Sequence, residues 1–361
     1  MDYEYEIFSK MSNLSIRKEI DTYEYGKLYD LLGSDITLKN AKCTKMQPYI
    51  ANACIKAKRD ERIWRTIYEE YKTRNEKVIT GVDYIYRELH KNGVDKIFLS
   101  ENFGALLSAG GDIGLFASGD VDNCADISQN TIISETMKAL GFHEEKRYTG
   151  NLFVNAEYTN PDVLPGNFRF GIQWEPLARL KLPSFVHFDD FVNWQNMRCF
   201  SGTSIMLPPI DALMYICLLH ISLHSFCRAP AVRLYRDLVN CSSNITKKDW
   251  ENIINWTKSY RTNTRVSTAA YIGKEIANLS VPKVIIRNAN KRLLKLVFDE
   301  TRGVLKEEPG KLKILAIELY CNDSSVIGGI NDILFPNDGW MEKVYGKSVI
   351  PNRIKHLKDI I

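Results

Sequence analysis

The chain has 361 residues, 45% of them hydrophobic and 25% charged, and a formal net charge of +4. The length leaves room for two or three domains, the composition matches an ordinary globular protein, and no apolar run approaches the roughly 18 residues of a membrane helix. The near-neutral charge argues against a dedicated nucleic-acid binder, whose basic stripe should be stronger. The acidic, aromatic start Tyr3-Glu4-Tyr5-Glu6 is unlike a secretory signal, so a cytoplasmic protein without a membrane partner is expected.

Residues from about 10 to 92 read as helices. Thr22 to Leu32 is the first, stopped by Gly33. Met46 to Tyr71 follows, with Ile50, Ala53, Cys54 and Ala57 at helical spacing. Val78 to Asn92 repeats the pattern, with Gly93 as its cap. From Val94 to about Leu180 the pattern becomes mixed. Strands are predicted over Lys96–Ser100, Leu115–Asp122, Leu152–Ala156 and Phe168–Trp174, a short helix over Asn102–Leu107 and a longer one over Ser128–Leu140. The last strand alternates. Arg169, Gly171, Gln173 and Glu175 share one face, and Phe168, Phe170, Ile172 and Trp174 the other. From Pro208 onward helices return: Pro209 to about Phe226, Ala231 to Val239, and one opened by the capping box Thr246-Lys247-Lys248-Asp249.

The stretch Ser118-Gly119-Asp120-Val121-Asp122 carries the most chemistry. Carboxylates at i and i+2 on a strand point to one face, where they can hold Mg²⁺ beside a phosphate. A D-x-D pair also occurs as turn-stabilising carboxylates. His220 and His224 have metal-ligand spacing, but no third ligand is in register, so hydrogen bonding in the core is the ordinary reading. Arg233 and Asp237 at i and i+4 read as an intrahelical ion pair. Ala109-Gly110-Gly111-Asp112-Ile113-Gly114 lacks the Lys-Ser/Thr of a P-loop and reads as a turn. None of the eight cysteines forms a C-x-x-C pair, which speaks against zinc and suits reduced, buried thiols; Cys124, beside the acidic motif, reads as a packing residue.

The order of elements from about 80 to 240 resembles the bacterial uncharacterised nucleotidyltransferases. Asp83 to Val94 matches the entering helix, Gly119-Asp120-Val121-Asp122 the metal motif, and Leu140-Gly141-Phe142 the end of the next helix. Ile172-Gln173-Trp174 stands where L-H-W is expected. Leu219-His220 with His224, then Arg236-Asp237-Leu238, match the helical part. The resemblance implies an α+β fold. A small mixed-sheet core (93–182) would lie between an N-terminal helical region (1–92) and a C-terminal one (183–361). It implies Asp120 and Asp122 as catalytic ligands of Mg²⁺ (or Mn²⁺), and Ser100, Ser118, Gly119 and Gln173 as the nucleotide's contacts. The substrate would be an NTP such as ATP. The acceptor would be a hydroxyl or phosphate on a small molecule, peptide or protein.

Four departures stand against this pattern. The family's Lys-Gly after the first strand is Ser100-Glu101, and Glu101 is expected to repel phosphates. Phe116 replaces an arginine, Asn123-Cys124 an apolar pair, and Gly171 the third carboxylate. Glu175 is four residues beyond Gly171, about 13 Å along a strand at ~3.3 Å per residue, too far to replace it. Gln173, Asp126 and Asp112 are the other substitutes. Two readings follow: a metal-dependent enzyme moving an NMP group, or a catalytically impaired module binding a peptide, nucleotide or protein. A transferase modifying tRNA is a third, and the charge supports it least.

Overall fold

A computed structural model describes residues 3–149, 152–174, 188–229 and 231–323, together with 330, 341 and 353–355. Glu175 lies outside the described residues. Five helices open the chain: α1 (Tyr3–Ser15), α2 (Thr22–Leu32), α3 (Ser34–Cys43), α4 (Gln47–Lys56) and α5 (Glu61–Lys91). Asp21 caps α2 by accepting from the Glu24 amide at 2.9 Å, and Gly33 ends it at φ 79°.

The helix predicted over Met46–Tyr71 is broken. Lys58 and Asp60 adopt left-handed φ values of 54° and 41°, and this turn separates α4 from α5. Side chains fix it: Tyr29 donates to Asp60 at 2.6 Å, and Arg59 pairs with Asp30 at 2.7 Å. Beyond the turn α5 runs unbroken through 72–77. Its C-terminal half carries Val78, Val82, Ile85, Tyr86 and Leu89 into the sheet's core.

Next come β1 (Ile97–Leu99), α6 (Glu101–Ser108), β2 (Asp120–Ala125), α7 (Asn130–Ala139), β3 (His143–Thr149), β4 (Leu152–Thr159) and β5 (Arg169–Gln173). They build one mixed sheet in the order β1-β2-β5-β4-β3, with β2 and β5 parallel and the other pairs antiparallel. The strand predicted over Leu115–Asp122 starts later. Ile113–Leu115 is a 3-10 turn, and the ladder with β5 begins at Asp120, so the acidic motif opens the strand. The alternation read in β5 is observed. Phe168, Phe170, Ile172 and Trp174 are buried, and each large apolar side chain so buried is worth about 1.5–3 kcal/mol.

The chain continues with β6 (Arg198–Cys199), β7 (Met206–Leu207), α8 (Ile210–Leu223), α9 (Val232–Ser242), α10 (Lys247–Ser259), α11 (Asn263–Ala277), α12 (Lys283–Ile286), α13 (Lys291–Val297), β8 (Phe298–Asp299), β9 (Val304–Leu305) and α14 (Lys311–Tyr320). The capping box at Thr246 and Asp249 forms as predicted. Helices α8, α9 and α11 join the N-terminal helices in a second core. The architecture is α+β, a small mixed sheet flanked by helical regions. Among the described residues no helix is long and apolar enough to cross a membrane.

Candidate functional site

β2 presents Asp120 and Asp122 on one face, while Val121 and Asn123 face the core. Asn123, at a position read as a departure, stitches that core. It accepts from the Tyr86 hydroxyl at 2.7 Å and donates to the Gly171 carbonyl at 2.9 Å. In the parallel ladder Asp120 lies beside Arg169, Asp122 beside Gly171 and Cys124 beside Gln173. Across β5, Glu157 of β4 lies beside Gly171, and Asn155 beside Gln173.

Asp120, Asp122, Gln173, Asn155, Glu157 and Arg169 therefore line one wall of a cavity of about 520 Å³. The facing wall brings Glu101 and Asn102 from the start of α6, His220 and His224 from the end of α8, and Arg233 from the first turn of α9. Ser118 and Gly119 form part of the rim, and Ser118 donates to Asp120. Ser100 is fully buried and does not line the cavity; its hydroxyl donates to the Asp122 carbonyl at 3.1 Å and so steadies the strand.

Gly171 does point into the site, since a Cβ there would stand 3.3 Å from Asp122 Oδ1. Of the three proposed substitutes, Gln173 lines the cavity and Asp126 and Asp112 do not. Asp126, at the far end of β2, caps the Ser128 amide and pairs with Lys96 at 3.1 Å. Asp112 accepts from the Gly114 amide and from Tyr68. Glu157 shares the face, but two strand spacings of ~4.8 Å put it roughly 10 Å from Asp122. It pairs with Arg169 at 2.9 Å. Among the described residues no set of three His, Cys, Asp or Glu is arranged to hold a metal. Phe116, read as standing in place of an arginine, is buried and stacked on Phe103.

Glu101 does not stand open to repel an anion. It occupies a left-handed φ of 51°, and its carboxylate is pinned between the Gln173 amide at 3.1 Å and His220 Nδ1 at 3.0 Å. Burial alone would raise this carboxyl, but His220, Gln173 and His224 together hold it below the ordinary range. Burial likewise opposes the charge on His220, and Glu101 overrides it and raises the imidazole. His224, stacked edge-on against His220, is pushed down to about 4 by burial and by that neighbour. Its Nδ1 contacts the Ala229 carbonyl at 3.0 Å. The histidine pair thus serves hydrogen bonding and charge balance at the cavity wall.

Asp122 is half-buried, and its carboxyl is pushed well above the carboxylate range by burial, then by Asp120 and Glu101. The ion pair read from the spacing of Arg233 and Asp237 does not form through the guanidinium's buried atoms. Arg233 Nε and Nη1 have no hydrogen-bond partner among the described residues. Tertiary packing turns Arg233 toward the cavity instead.

A family model for uncharacterised nucleotidyltransferases matches residues 39–278. The chain belongs to the uncharacterised nucleotidyltransferase family. Every residue lining the cavity, from Lys45 to Arg233, falls within the span matched to the nucleotidyltransferase family. No curated protein and no solved structure matches the chain.

Asp237 lies behind the cavity, and burial pushes its carboxyl up to about 7. Its folded value exceeds the unfolded one, so the folded state binds the extra proton between about pH 4 and 7 and loses stability as pH rises through that window. Asp237→Asn removes this loss. Its denaturation midpoint should match wild type near pH 4.5 and exceed it at pH 8. A variant no more stable than wild type at pH 8 would contradict the assignment.

Proposed function

We propose that this protein is a metal-dependent nucleotidyltransferase moving an NMP group from an NTP to an acceptor hydroxyl or phosphate. One observation carries the reading. Two crowded carboxylates on one strand face share a polar cavity with Arg233, whose buried Nε and Nη1 have no hydrogen-bond partner among the described residues. A metal–triphosphate complex brings positive charge to one wall and negative charge to the other.

The donor set fits Mg²⁺ or Mn²⁺. Asp120 and Asp122 offer hard oxygen ligands, and the crowding that raises Asp122 is what a cation relieves. Asp120 and Asp122 would hold the cation beside the triphosphate. The metal would supply charge neutralisation at the α-phosphate and at the departing pyrophosphate. The protein's own groups orient the reactants. Ser118 holds the Asp120 carboxylate, and Ser100 fixes the strand carrying Asp122. Gly119, where an added Cβ would meet only open space, lets backbone approach the nucleotide. Gln173 bridges Glu101 and the sheet.

The acceptor oxygen attacks the α-phosphorus, the bond to pyrophosphate breaks with its electron pair leaving on pyrophosphate, and the proton of a hydroxyl acceptor passes to solvent. The acceptor is a small molecule, a peptide or a protein. Titration calorimetry of ATP, GTP, CTP and UTP, with and without Mg²⁺, tests the reading. At least one NTP should bind in a Mg²⁺-dependent way. No binding of any NTP would defeat it.

A further inference from the structure

We infer that Arg233 is the phosphate-holding residue of this site, replacing the basic group that the sequence lacks after its first strand. This rests on the nucleotidyltransferase reading and names the group that captures the triphosphate. Sequence positions expected to face the phosphates are not basic: Ser100-Glu101 stands for Lys-Gly, and Phe116 for an arginine. Ser100 and Phe116 are both buried away from the cavity. Of the cavity's other cations, Lys45 is exposed and Arg169 is paired with Glu157, so a tetra-anionic substrate still needs a fixed, buried cation.

Arg233 has the required properties. Only 6% of it is exposed, yet it lines the cavity that holds Asp120 and Asp122. Two of its guanidinium nitrogens lack any partner among the described residues. Leaving such buried donors unmade is costly, more so for charged groups, so a native protein retains them where a ligand completes them. The side chain leaves the first turn of α9, where the helix dipole adds positive potential. The planar fork matches two phosphate oxygens at once. A second orphan lines the same cavity. Asn102 Oδ1 is buried with no hydrogen-bond partner among the described residues, an acceptor suited to a ribose or acceptor hydroxyl.

The competing role is structural. Arg233 sits near Asp122 and Asp237 and eases the charge on both. A purely structural arginine would leave phosphate affinity unchanged once the fold is intact. The test therefore uses two ligands, a Mg²⁺-bound NTP and inorganic tripolyphosphate, on Arg233→Met and Arg233→Lys, with circular dichroism to confirm folding. A hydrogen bond to a charged group is worth about 1.5–3 kcal/mol, so Arg233→Met should lose about 10- to 150-fold in affinity for both ligands. Arg233→Lys, which keeps the charge and loses the fork, should lose about tenfold and stays informative if the Met variant does not fold. Asp237→Asn removes the neighbouring carboxylate and should bind as wild type does. Unchanged affinity in a folded Arg233 variant overturns the inference, as does a loss for the NTP with none for tripolyphosphate. Failure of wild type to bind either ligand removes the functional reading itself, and that result is distinct because no variant is needed to see it.

Discussion

Asp122→Asn should make the metal-free protein more stable at pH 8 and abolish nucleotide transfer. Burial and the nearby Asp120 and Glu101 all disfavour the charge on this carboxyl. At pH 8 the ionised group costs stability, because each unit by which a folded value is raised is worth about 1.4 kcal/mol. Asparagine keeps the shape and removes the charge, so a higher denaturation midpoint than wild type is expected in chelator-treated buffer. Metal-assisted charge stabilisation contributes several kcal/mol to a phosphoryl-transfer barrier. At 1.4 kcal/mol per tenfold, transfer should fall by at least about 10³-fold. This inverse relation between stability and activity separates a working site from a structural turn. A variant that loses stability and keeps NTP affinity would mean that the carboxylate only braces the strand.

The second large effect belongs to Glu101. Its left-handed φ of 51° costs a non-glycine residue about 1–2 kcal/mol, a strain that glycine would not carry. Its buried pairing with His220 at 3.0 Å opposes this, because breaking a buried pair by removing one partner costs about 3–5 kcal/mol. Glu101→Gly should therefore destabilise the fold by about 1–4 kcal/mol despite relieving the strain.

The pH dependence has a definite sign. His220 is raised above its unfolded value of 6.5, so its contribution is complete below that pH and fades as pH rises through the folded value. Glu101 is lowered below its unfolded value of 4.5, so its contribution is complete above that pH and fades on acidification. The gap between wild type and Glu101→Gly should be widest between about pH 4.5 and 6.5 and narrower at pH 9. A variant as stable as wild type across this range would show that the pair contributes nothing.

Much of the fold was legible because its signals are local. Asp21 and Gly33 bracket α2, Thr246 and Asp249 form their capping box, and the two-residue period of β5 buries Phe168, Phe170, Ile172 and Trp174. The elements misread depend on distant partners. The break at Asp60 is held by Tyr29, thirty-one residues away. β3 reads His143-Glu144-Glu145-Lys146, a polar edge strand with no apolar alternation to betray it. Asp120 and Asp122 were found because i and i+2 on a strand share a face whatever the tertiary structure.

The opposite wall of the cavity could not be found this way. Spacing along α9 suggested that Arg233 serves Asp237, but packing against α6 and α8 decides where the guanidinium goes. Glu101 read as a repulsive residue because His220, 119 positions later, was invisible as its partner. Glu157 did have a signal, since pairing β4 with β5 as a hairpin places it opposite Gly171.

The central claim is that Asp120 and Asp122 hold a divalent cation beside a nucleotide's phosphates. Electron paramagnetic resonance of Mn²⁺, titrated into the protein with and without a bound NTP, addresses it most directly. Wild type should show a bound Mn²⁺ spectrum that strengthens on adding NTP, and the double variant Asp120→Asn/Asp122→Asn should return only the free-ion signal expected from Mn²⁺–NTP in solution. A bound Mn²⁺ spectrum that survives in the double variant, or NTP binding indifferent to the metal, would contradict the account.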